Sequence, residues 1–303
     1  MKKLIQVGIV FIFLGIVFMF KDDIIDIYNH IVLYFDKSEQ IKKNEYFRDY
    51  DFKFVQTTSK TKPESKQDIY NLYYTIMNSG ATEYSFNCDP NYKECLNDVR
   101  EIANNRIILS DINNLVHPYN SFKNIATEYT NSGKVTIIIE HTYSDNDIKE
   151  INEEIDNVIN SLNVNNNLSD VEKIKIYHNY IIENSKYDSD RSDRNIINYR
   201  SDIAYGPLIE GYGICGGYSD SMQLFLEKLG LKNYKISSNN HVWNAVLING
   251  NWLHLDLTWD DPITSNGTNI IDYNFFLINT KRLLELEQTQ HNFDQTFYKE
   301  LAN

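Results

Sequence analysis

The chain has 303 residues, of which 42% are hydrophobic and 13% aromatic, enough to form the core of one large domain or two small ones. Its formal net charge of −13 argues against a nucleic-acid-binding protein, because phosphate binding requires a concentrated basic face. The acidic residues are dispersed along the chain. We therefore interpret them as a solvated surface rather than as a cation site.

The N-terminus is the most hydrophobic stretch of the sequence. Lys2 and Lys3 precede residues 4–20, a run of seventeen in which only Gln6 is polar. This length is at the lower limit for a helix that spans the hydrocarbon layer of a membrane. A cleaved signal peptide is the alternative, but the run does not end in the small residues that a signal peptidase requires. The sequence therefore predicts a single-pass cell-membrane protein with an anchor over 1–21, its N-terminus in the cytoplasm and the rest of the chain outside.

Residues 22–62 are predicted to connect this anchor to a globular part. Apolar residues at helical spacing between positions 24 and 35 predict a juxtamembrane helix. Residues 36–62 are charged and polar without a sustained period. We interpret them as a tether that ends near Pro63.

Residues 63–165 are predicted to form a smaller α/β region. The hydrophobic pattern predicts helices over 64–79, 92–105 and 145–162, and strands over 81–86 and 135–141. No cluster of residues in this region suggests chemistry. We interpret His117 and His141 as structural.

Two of the three cysteines, Cys88 and Cys95, lie in this region and are seven positions apart. In the oxidising space outside a membrane, such a pair predicts a small disulfide loop. Two buried free thiols are the alternative. No histidine accompanies the pair, so we do not predict a metal site there.

Residues 166–303 are predicted to form the catalytic core. A capping box at Ser169 and Glu172 opens a helix in which His178 lies on or beside the apolar stripe. We therefore interpret His178 as a core histidine. Residues 185–204 are polar and charged, and we expect them to form an exposed loop that borders the site.

Cys215 lies in a glycine-dense turn that leads directly into a helix predicted over 215–229. At the first turn of a helix, unpaired N–H groups and the helix dipole favour a thiolate, and the same N–H groups can donate to a developing oxyanion. Gly216 and Gly217 are expected to let a substrate backbone approach closely. A buried structural cysteine is the alternative, although a core helix gains nothing from the adjacent glycines.

A hairpin follows this helix. Two apolar strands are predicted over 241–248 and 251–258, separated by the two-residue type I′ turn signal Asn249-Gly250. A two-residue loop pairs Ile248 with Asn251. One face of the resulting hairpin is almost entirely aliphatic and is predicted to belong to the core.

The other face of the hairpin carries titratable groups. His241 and Asp256 become diagonal neighbours, roughly 7–8 Å apart at the backbone, which suits an imidazole that donates to a carboxylate. His254 shares this face as a competing imidazole, and we prefer His241 because His254 lies in the middle of the hairpin. Asp260 and Asp261 follow in a turn that we interpret as solvated.

Three motifs in this order resemble the bacterial transglutaminase-like superfamily. They are residues 213–219 (GICGGYS), 241–244 (HVWN) and 256–262 (DLTWDDP), and residues 273–277 (YNFFL) resemble the strand that follows them in the family. The resemblance covers about residues 170–280. It implies an α+β, papain-like core in which a helix carrying the cysteine packs on an antiparallel sheet. It also implies a triad of Cys215 as nucleophile, His241 as base and Asp256 as the residue that orients the base.

The function that we expect from these residues is acyl transfer outside the membrane. The Cys215 thiolate attacks a peptide or protein amide, His241 protonates the leaving amine, and water or a second amine resolves the thioester. Water gives a peptidase or deamidase, and an amine gives a cross-linking transglutaminase. Cell-wall peptide or surface protein is the expected substrate, and no cofactor, metal or nucleic acid is expected. The expected surroundings of substrate and oxyanion are Gly216, Gly217, Tyr218, Trp243 and Trp259.

Two alternatives belong to other classes. A non-catalytic surface-binding module could retain this fold, although a binding role does not require all three residues of the triad. A metal site could be formed by Cys215, His241 and Asp256, but a single thiolate and a single clear imidazole make a poor ligand set for structural zinc.

Overall fold

The computed structural model of the protein describes residues 19–21, 40–162, 164, 167–262 and 270–301. Most of the predicted anchor over 1–21 and the predicted juxtamembrane helix lie outside these residues, so both stay predictions. Within the described part of the chain, none of the helices combines the length and the apolar character that crossing a bilayer requires.

The described residues form an α+β fold. Its helices are α1 (Lys66–Asn78), α2 (Cys95–Asn104), α3 (Arg106–Asn114), α4 (Asp145–Ser161), α5 (Asp170–Asn184), α6 (Ser189–Arg194), α7 (Cys215–Lys228) and α8 (Thr280–Leu286). Its strands are β1 (Glu83–Asn87), β2 (Phe122–Tyr129), β3 (Lys134–His141), β4 (Lys186–Tyr187), β5 (Tyr212–Gly213), β6 (Asn233–Ser237), β7 (Val242–Ile248), β8 (Asn251–Leu255) and β9 (Phe276–Ile278). A 3-10 turn (Pro118–Asn120) and a π-helical turn (Gly206–Glu210) complete the set.

The first sheet has the strand order β1-β3-β2, and both of its pairs are antiparallel. The region predicted as α/β therefore has the antiparallel pairing of an α+β fold. β2 and the separate helix α3 were not predicted. β2 is exposed along much of its length, so its sequence lacks the strong apolar alternation of β3.

The second sheet has the order β6-β7-β8-β9 with antiparallel pairs throughout. Asn249 and Gly250 have φ angles of 49° and 82°, and a type I′ turn requires both to be positive. Ile248 pairs with Asn251, which confirms the predicted register of the hairpin. Helix α7 packs across β6 and β7, so Cys215 starts a helix that lies on this sheet.

The capping box that opens α5 is also confirmed. Glu172 N donates to Ser169 Oγ at 3.3 Å, and Ser169 N donates to the Glu172 carboxylate at 2.8 Å. These bonds satisfy two of the N–H groups that a helix leaves without partners at its start. They fix the first turn of the helix that carries His178.

Two clusters of buried side chains form the core. The first joins α1 and the first sheet to β6, β7 and the residues near the C-terminus, and the second joins α4, α5 and α7 to β7 and β8. The first cluster therefore contains side chains from both of the predicted regions, 63–165 and 166–303. These regions share a core in the structure.

Residues 40–62 pack against the fold, in contrast to the free tether that we expected for this stretch. Arg48, Phe52 and Val55 are buried, although the segment forms neither helix nor strand. The Arg48 guanidinium donates to Glu227 at 2.6 Å, at the end of α7. The sequence hides this packing because a few isolated side chains make the contacts without a regular period.

The C-terminal segment, which we define as residues 287–301, also packs into the core without forming a helix or strand. Phe293, Phe297, Tyr298 and Leu301 are buried in the first cluster. The Tyr298 hydroxyl donates to Asp111 Oδ1 at 2.8 Å, which ties the segment to α3. This anchoring positions His291 within the interior.

Candidate active site

Cys215 is the first residue of α7 and its side chain is partly accessible. Ile214 occupies the N-cap in an extended conformation and supplies no side-chain cap. Tyr218 N is the donor that closes the first helical turn, on Ile214 O at 3.1 Å. The earlier N–H groups of the turn therefore lack a carbonyl within the helix, and the positive end of the helix dipole lies at the thiol.

The two glycines after Cys215 are required by the chain's own packing. A side chain at Gly216 would place its Cβ 2.5 Å from Asp202 O, and one at Gly217 would overlap Ser201 O. Ser201 O also accepts from Ile214 N at 2.8 Å. Residues 201–203 thus lie against the start of α7, which explains the glycines without a substrate. A role for them beside a substrate stays a prediction.

His241 lies directly before β7 and only 6% of it is exposed. Its Nε2 donates to Asp256 Oδ2 at 2.6 Å, and the Cys215 thiol lies close enough to its ring to affect its pKa. Burial lowers the pKa of His241, but the charge of Asp256, the hydrogen bond to Asp256 and the nearby Cys215 thiol outweigh it and raise the pKa to about 10. The imidazole is therefore protonated at neutral pH, as an ion pair with a thiolate requires.

Asp256 receives four hydrogen bonds on its two carboxylate oxygens. Oδ1 accepts from the backbone N–H groups of Thr258 and Trp259 at 2.9 and 3.2 Å, and Oδ2 accepts from His241 and His291. Burial raises the pKa of Asp256, but the charge of His241 and the hydrogen bonds from His241 and His291 hold it well below its usual range. The carboxylate also ends the strand, so β8 stops at Leu255 and does not reach position 258 as predicted.

The structure thus brings Cys215, His241 and Asp256 together at a helix N-terminus, with His241 hydrogen-bonded to Asp256 and near the thiol. The hairpin supplies the base and the carboxylate, and α7 supplies the thiol. This arrangement is suited to a nucleophilic thiolate next to an imidazolium. The catalytic roles of the three residues stay a prediction.

His291 was not predicted as a site residue. Its Nε2 lies 2.9 Å from Asp256 Oδ2, on the carboxylate oxygen that His241 also contacts. It belongs to the C-terminal segment, where neither a motif nor a periodic pattern surrounds it. Only the tertiary packing of the segment brings it to the site.

His254 and Trp243 support the hairpin beside the triad. Trp243 Nε1 donates to His254 Nδ1 at 3.0 Å, and burial lowers the pKa of His254 to about 3, so its ring is neutral. The indole of Trp243 stacks on the His241 ring, with centroids 5.6 Å apart at 14°. Trp243 has no exposed surface. The expectation that it borders the substrate is therefore wrong for this conformation, because it packs behind the base.

Tyr218 and Trp259, the other predicted aromatic neighbours, differ in accessibility. Tyr218 is buried, and its hydroxyl donates to Asp261 Oδ2 at 2.6 Å, so it supports the turn after β8 and does not face a substrate. Trp259 is half-buried and packs on Phe275, with ring centroids 5.3 Å apart. Trp259 is thus the predicted aromatic neighbour that keeps accessible surface.

Asp260 is fully buried, so the interpretation of its turn as solvated is wrong for this residue. Its Oδ2 lies 3.1 Å from His178 Nε2, and its Oδ1 accepts from Phe275 N at 2.9 Å. Burial raises the pKa of Asp260 to about 6, although the hydrogen bond from His178 opposes this. The pair ties the turn to α5, and His178 is confirmed as a core histidine.

Tyr187 is a second neighbour of the thiol that was not predicted. It lies in β4, which pairs in parallel with β5 and places Tyr187 opposite Gly213. Burial and, among lesser causes, the charge of Cys215 raise the pKa of the Tyr187 phenol. The stretch 185–204 therefore reaches the start of α7 through this tyrosine as well as through residues 201–203.

His241, Asp256 and His291 offer ligand atoms within 4.8 Å of one another and could hold a metal ion. The two imidazole nitrogens, however, lie 2.6 and 2.9 Å from one carboxylate oxygen. Ligands around a tetrahedral zinc ion would be about 3.3 Å apart, given bonds of about 2.0 Å. The spacing is that of direct hydrogen bonds, so we interpret the group as a hydrogen-bonded network.

Cys88 and Cys95 form a disulfide that links the residue after β1 to the first residue of α2. Both cysteines are buried in the first core cluster. Because the sequence has three cysteines, the remaining thiol is that of Cys215.

No protein-family model and no curated protein sequence matches the chain. Among solved structures, one described as a TGase is similar to it, with 14% identity, a TM-score of 0.35 and a match over 49% of this chain and 48% of that one. A candidate cysteine protease of Cytophaga hutchinsonii shows 12% identity and a TM-score of 0.27, over 49% of this chain and 65% of that one. The chain thus spans less than two thirds of either protein. Because both TM-scores lie below 0.5, a function has to be inferred from the geometry of the site.

Proposed function

We propose that the protein is a cysteine acyltransferase or hydrolase of the transglutaminase-like type that acts on peptide or protein amides. The observation that supports this proposal most strongly is the row of Cys215, His241 and Asp256 at the N-terminus of α7. Buried ion pairs cost desolvation energy and are weak devices for stability. A charged imidazole beside a partly accessible thiol is therefore better explained by chemistry than by stability.

The proposed reaction proceeds through a thioester. The Cys215 thiolate attacks the carbonyl carbon of an amide, and the negative charge that forms on the carbonyl oxygen is stabilised by N–H groups of the first turn of α7. His241 gives its proton to the leaving nitrogen as the carbon–nitrogen bond breaks. Asp256 keeps the His241 ring in place through Nε2. Water or an amine then attacks the thioester and gives a proton to His241, and the thiolate leaves.

We further propose that this chemistry takes place outside the cell membrane, on cell-wall peptide or surface protein. The hydrophobic run over 4–20 and the preceding lysines support this location. The disulfide between Cys88 and Cys95 also supports it, because disulfides persist mainly in oxidising compartments.

The test uses the full-length chain in detergent, amide-containing peptides, and mass spectrometry with and without an added primary amine. Ammonia release, chain cleavage or amine incorporation would identify a deamidase, a peptidase or a transglutaminase. The matched control is Cys215→Ala, which removes the sulfur and adds no bulk. Product formation by Cys215→Ala at the original rate would contradict the proposal, and so would a wild-type chain that modifies none of the peptides.

A further inference from the structure

The C-terminal segment places a fully buried histidine beside the triad. His291 has no exposed surface, and Phe275 stacks on its ring with centroids 5.3 Å apart at 18°. Trp243 meets the ring edge-on at 4.8 Å. These contacts on the face and the edge of the ring hold the imidazole in one orientation.

Both ring nitrogens of His291 face oxygen atoms that accept hydrogen bonds. Nε2 lies 2.9 Å from Asp256 Oδ2, and Nδ1 lies 3.1 Å from both the backbone carbonyl oxygen and carboxylate Oε2 of Glu287. Burial raises the pKa of Glu287, but hydrogen bonds from Gln290 and Thr289 outweigh it, so this carboxylate stays ionised. Either neutral tautomer of His291 would direct a lone pair at an oxygen. Only a ring with hydrogen on both nitrogens donates to Asp256 through Nε2 and to Glu287 through Nδ1.

His254 provides an internal contrast. It is equally buried and belongs to the same aromatic cluster, but its Nδ1 accepts a hydrogen bond from Trp243 Nε1, which can only donate. Its ring must therefore keep a lone pair and be neutral. The two histidines thus face opposite hydrogen-bonding environments although both are fully buried.

We propose that His291 is a positioning residue of the triad, a second imidazolium that donates to Asp256 Oδ2 and fixes the carboxylate in the orientation that holds His241. The proposal deepens the proposed function and rests on it where catalysis is concerned. His241 and His291 share one carboxylate oxygen, with ring centroids 5.3 Å apart. The charge of His291 therefore partly offsets the attraction of Asp256 for the proton on His241.

Titratable groups from several segments face this network. They are Cys215 at the start of α7, His241 before β7, His254 in β8, Asp260 in the turn after β8, and Glu287 after α8. A useful test must therefore change the charge of His291 while leaving the others in place. His291→Gln meets this need, because its amide nitrogen can reach the place of Nε2 and donate without a charge.

The test measures the rate at which iodoacetamide alkylates Cys215 in the full-length chain, between about pH 5 and pH 11. No reductant is added, so Cys88 and Cys95 stay in their disulfide and mass spectrometry reads Cys215 alone. The rate rises at the alkaline end of this range, where His241, whose pKa is raised to about 10, loses its proton. We call this rise of the rate the alkaline limb, and the pH at which it occurs reports the charge next to His241.

We expect His291→Gln to move the alkaline limb upward by about one pH unit, because one positive charge no longer opposes protonation of His241. His291→Leu should add a roughly tenfold slower reaction at neutral pH, because Asp256 also loses a donor. His117→Asn is the control, since its Oδ1 can still accept from Tyr119 N as His117 Nδ1 does. The alkaline limb of the His117→Asn variant should stay at the same pH.

An alkaline limb that stays in place in His291→Gln would overturn the proposal, and a purely structural role would give this result together with lower stability. The measurement requires no substrate. A shifted limb in a protein that modifies no peptide would contradict the proposed function and leave the role of His291 intact. Peptide turnover together with an unmoved alkaline limb would support the proposed function and contradict the proposed role of His291.

Discussion

The two antiparallel sheets bury different kinds of side chain. β3, at the centre of the first sheet, buries Val135, Ile137 and Ile139. The hairpin of the second sheet and the segments around it bury histidines and aspartates, namely His178, His241, His254, Asp256, Asp260 and His291. Apolar burial stabilises a fold directly, whereas buried charges must recover their desolvation cost through partners. The comparison indicates that the first sheet contributes mainly apolar burial, whereas the second combines apolar burial with the titratable groups of the proposed site.

The largest effect is expected from Asp256→Asn in the second sheet. The variant keeps the shape of the side chain but removes the charge and offers an N–H group toward one of its donors. We expect the rate of thioester formation to fall by roughly 10³–10⁴-fold, because the imidazolium loses the group that orients and stabilises it. Rapid-quench measurement with a peptide substrate found in the mass-spectrometric test measures this rate. A loss of less than tenfold would mean that Asp256 does not orient the base.

The next effect belongs to the first sheet. Ile137→Ala should lower the free energy of unfolding by about 2–5 kcal/mol, because Ile137 is fully buried and the change leaves a cavity. Denaturant titration measures this loss, and the alkylation profile of Cys215 should stay unchanged under native conditions. If the profile moved together with the stability, the separation between the two sheets would be broken.

A smaller effect is expected on the pH dependence of stability, and it concerns the second sheet. The pKa of His241 is raised from 6.5 to about 10, so the folded state binds a proton that the unfolded state has released between these values. The stabilisation is fully present below about pH 6.5 and is lost as the pH rises towards 10, by up to about 1.4 kcal/mol per pH unit. Denaturant titrations in a Cys215→Ala background measure the part of this stabilisation that Asp256 provides, and because Cys215 also raises the pKa of His241, the decline there should end below pH 10.

The matched variant for the pH experiment is His241→Gln in the same Cys215→Ala background. It lacks the titrating ring, so the decline in stability between pH 6.5 and 10 should largely disappear. The same decline in both proteins would show that the charge of His241 is not held by Asp256.

Local patterns predicted the hairpin because its determinants are local. Asn249 and Gly250 select the turn, the two-residue turn fixes the register, and the alternation of side chains then assigns the faces. The start of α7 at Cys215 was also predicted from the glycines that precede it in the sequence. The end of β8 was not, since the Asp256 side chain stops the strand by accepting backbone N–H groups from the turn.

The remaining features depend on long-range packing and leave little trace in the sequence. Arg48 is buried by a contact with Glu227, and β2 pairs with β3 although its own apolar pattern is weak. His291 reaches Asp256 only because the C-terminal segment is held in the core by separate aromatic contacts. No periodic pattern or motif in the sequence predicts such long-range contacts. The burial of Asp260 was missed for the same reason, because its partner His178 lies in helix α5, far from the turn in sequence.

The contact between His291 and Asp256 also has a consequence for the order in which the site is completed. The two residues are 35 positions apart, and His291 is synthesised after the other residues of the network named above. At roughly 5–20 residues per second, a ribosome needs several seconds for this interval. During that time a nascent chain already contains the thiol, its base and the carboxylate, but not the last donor to Asp256. The pair of thiol and imidazole therefore acquires the support of His291 only after the other residues of the network have been made.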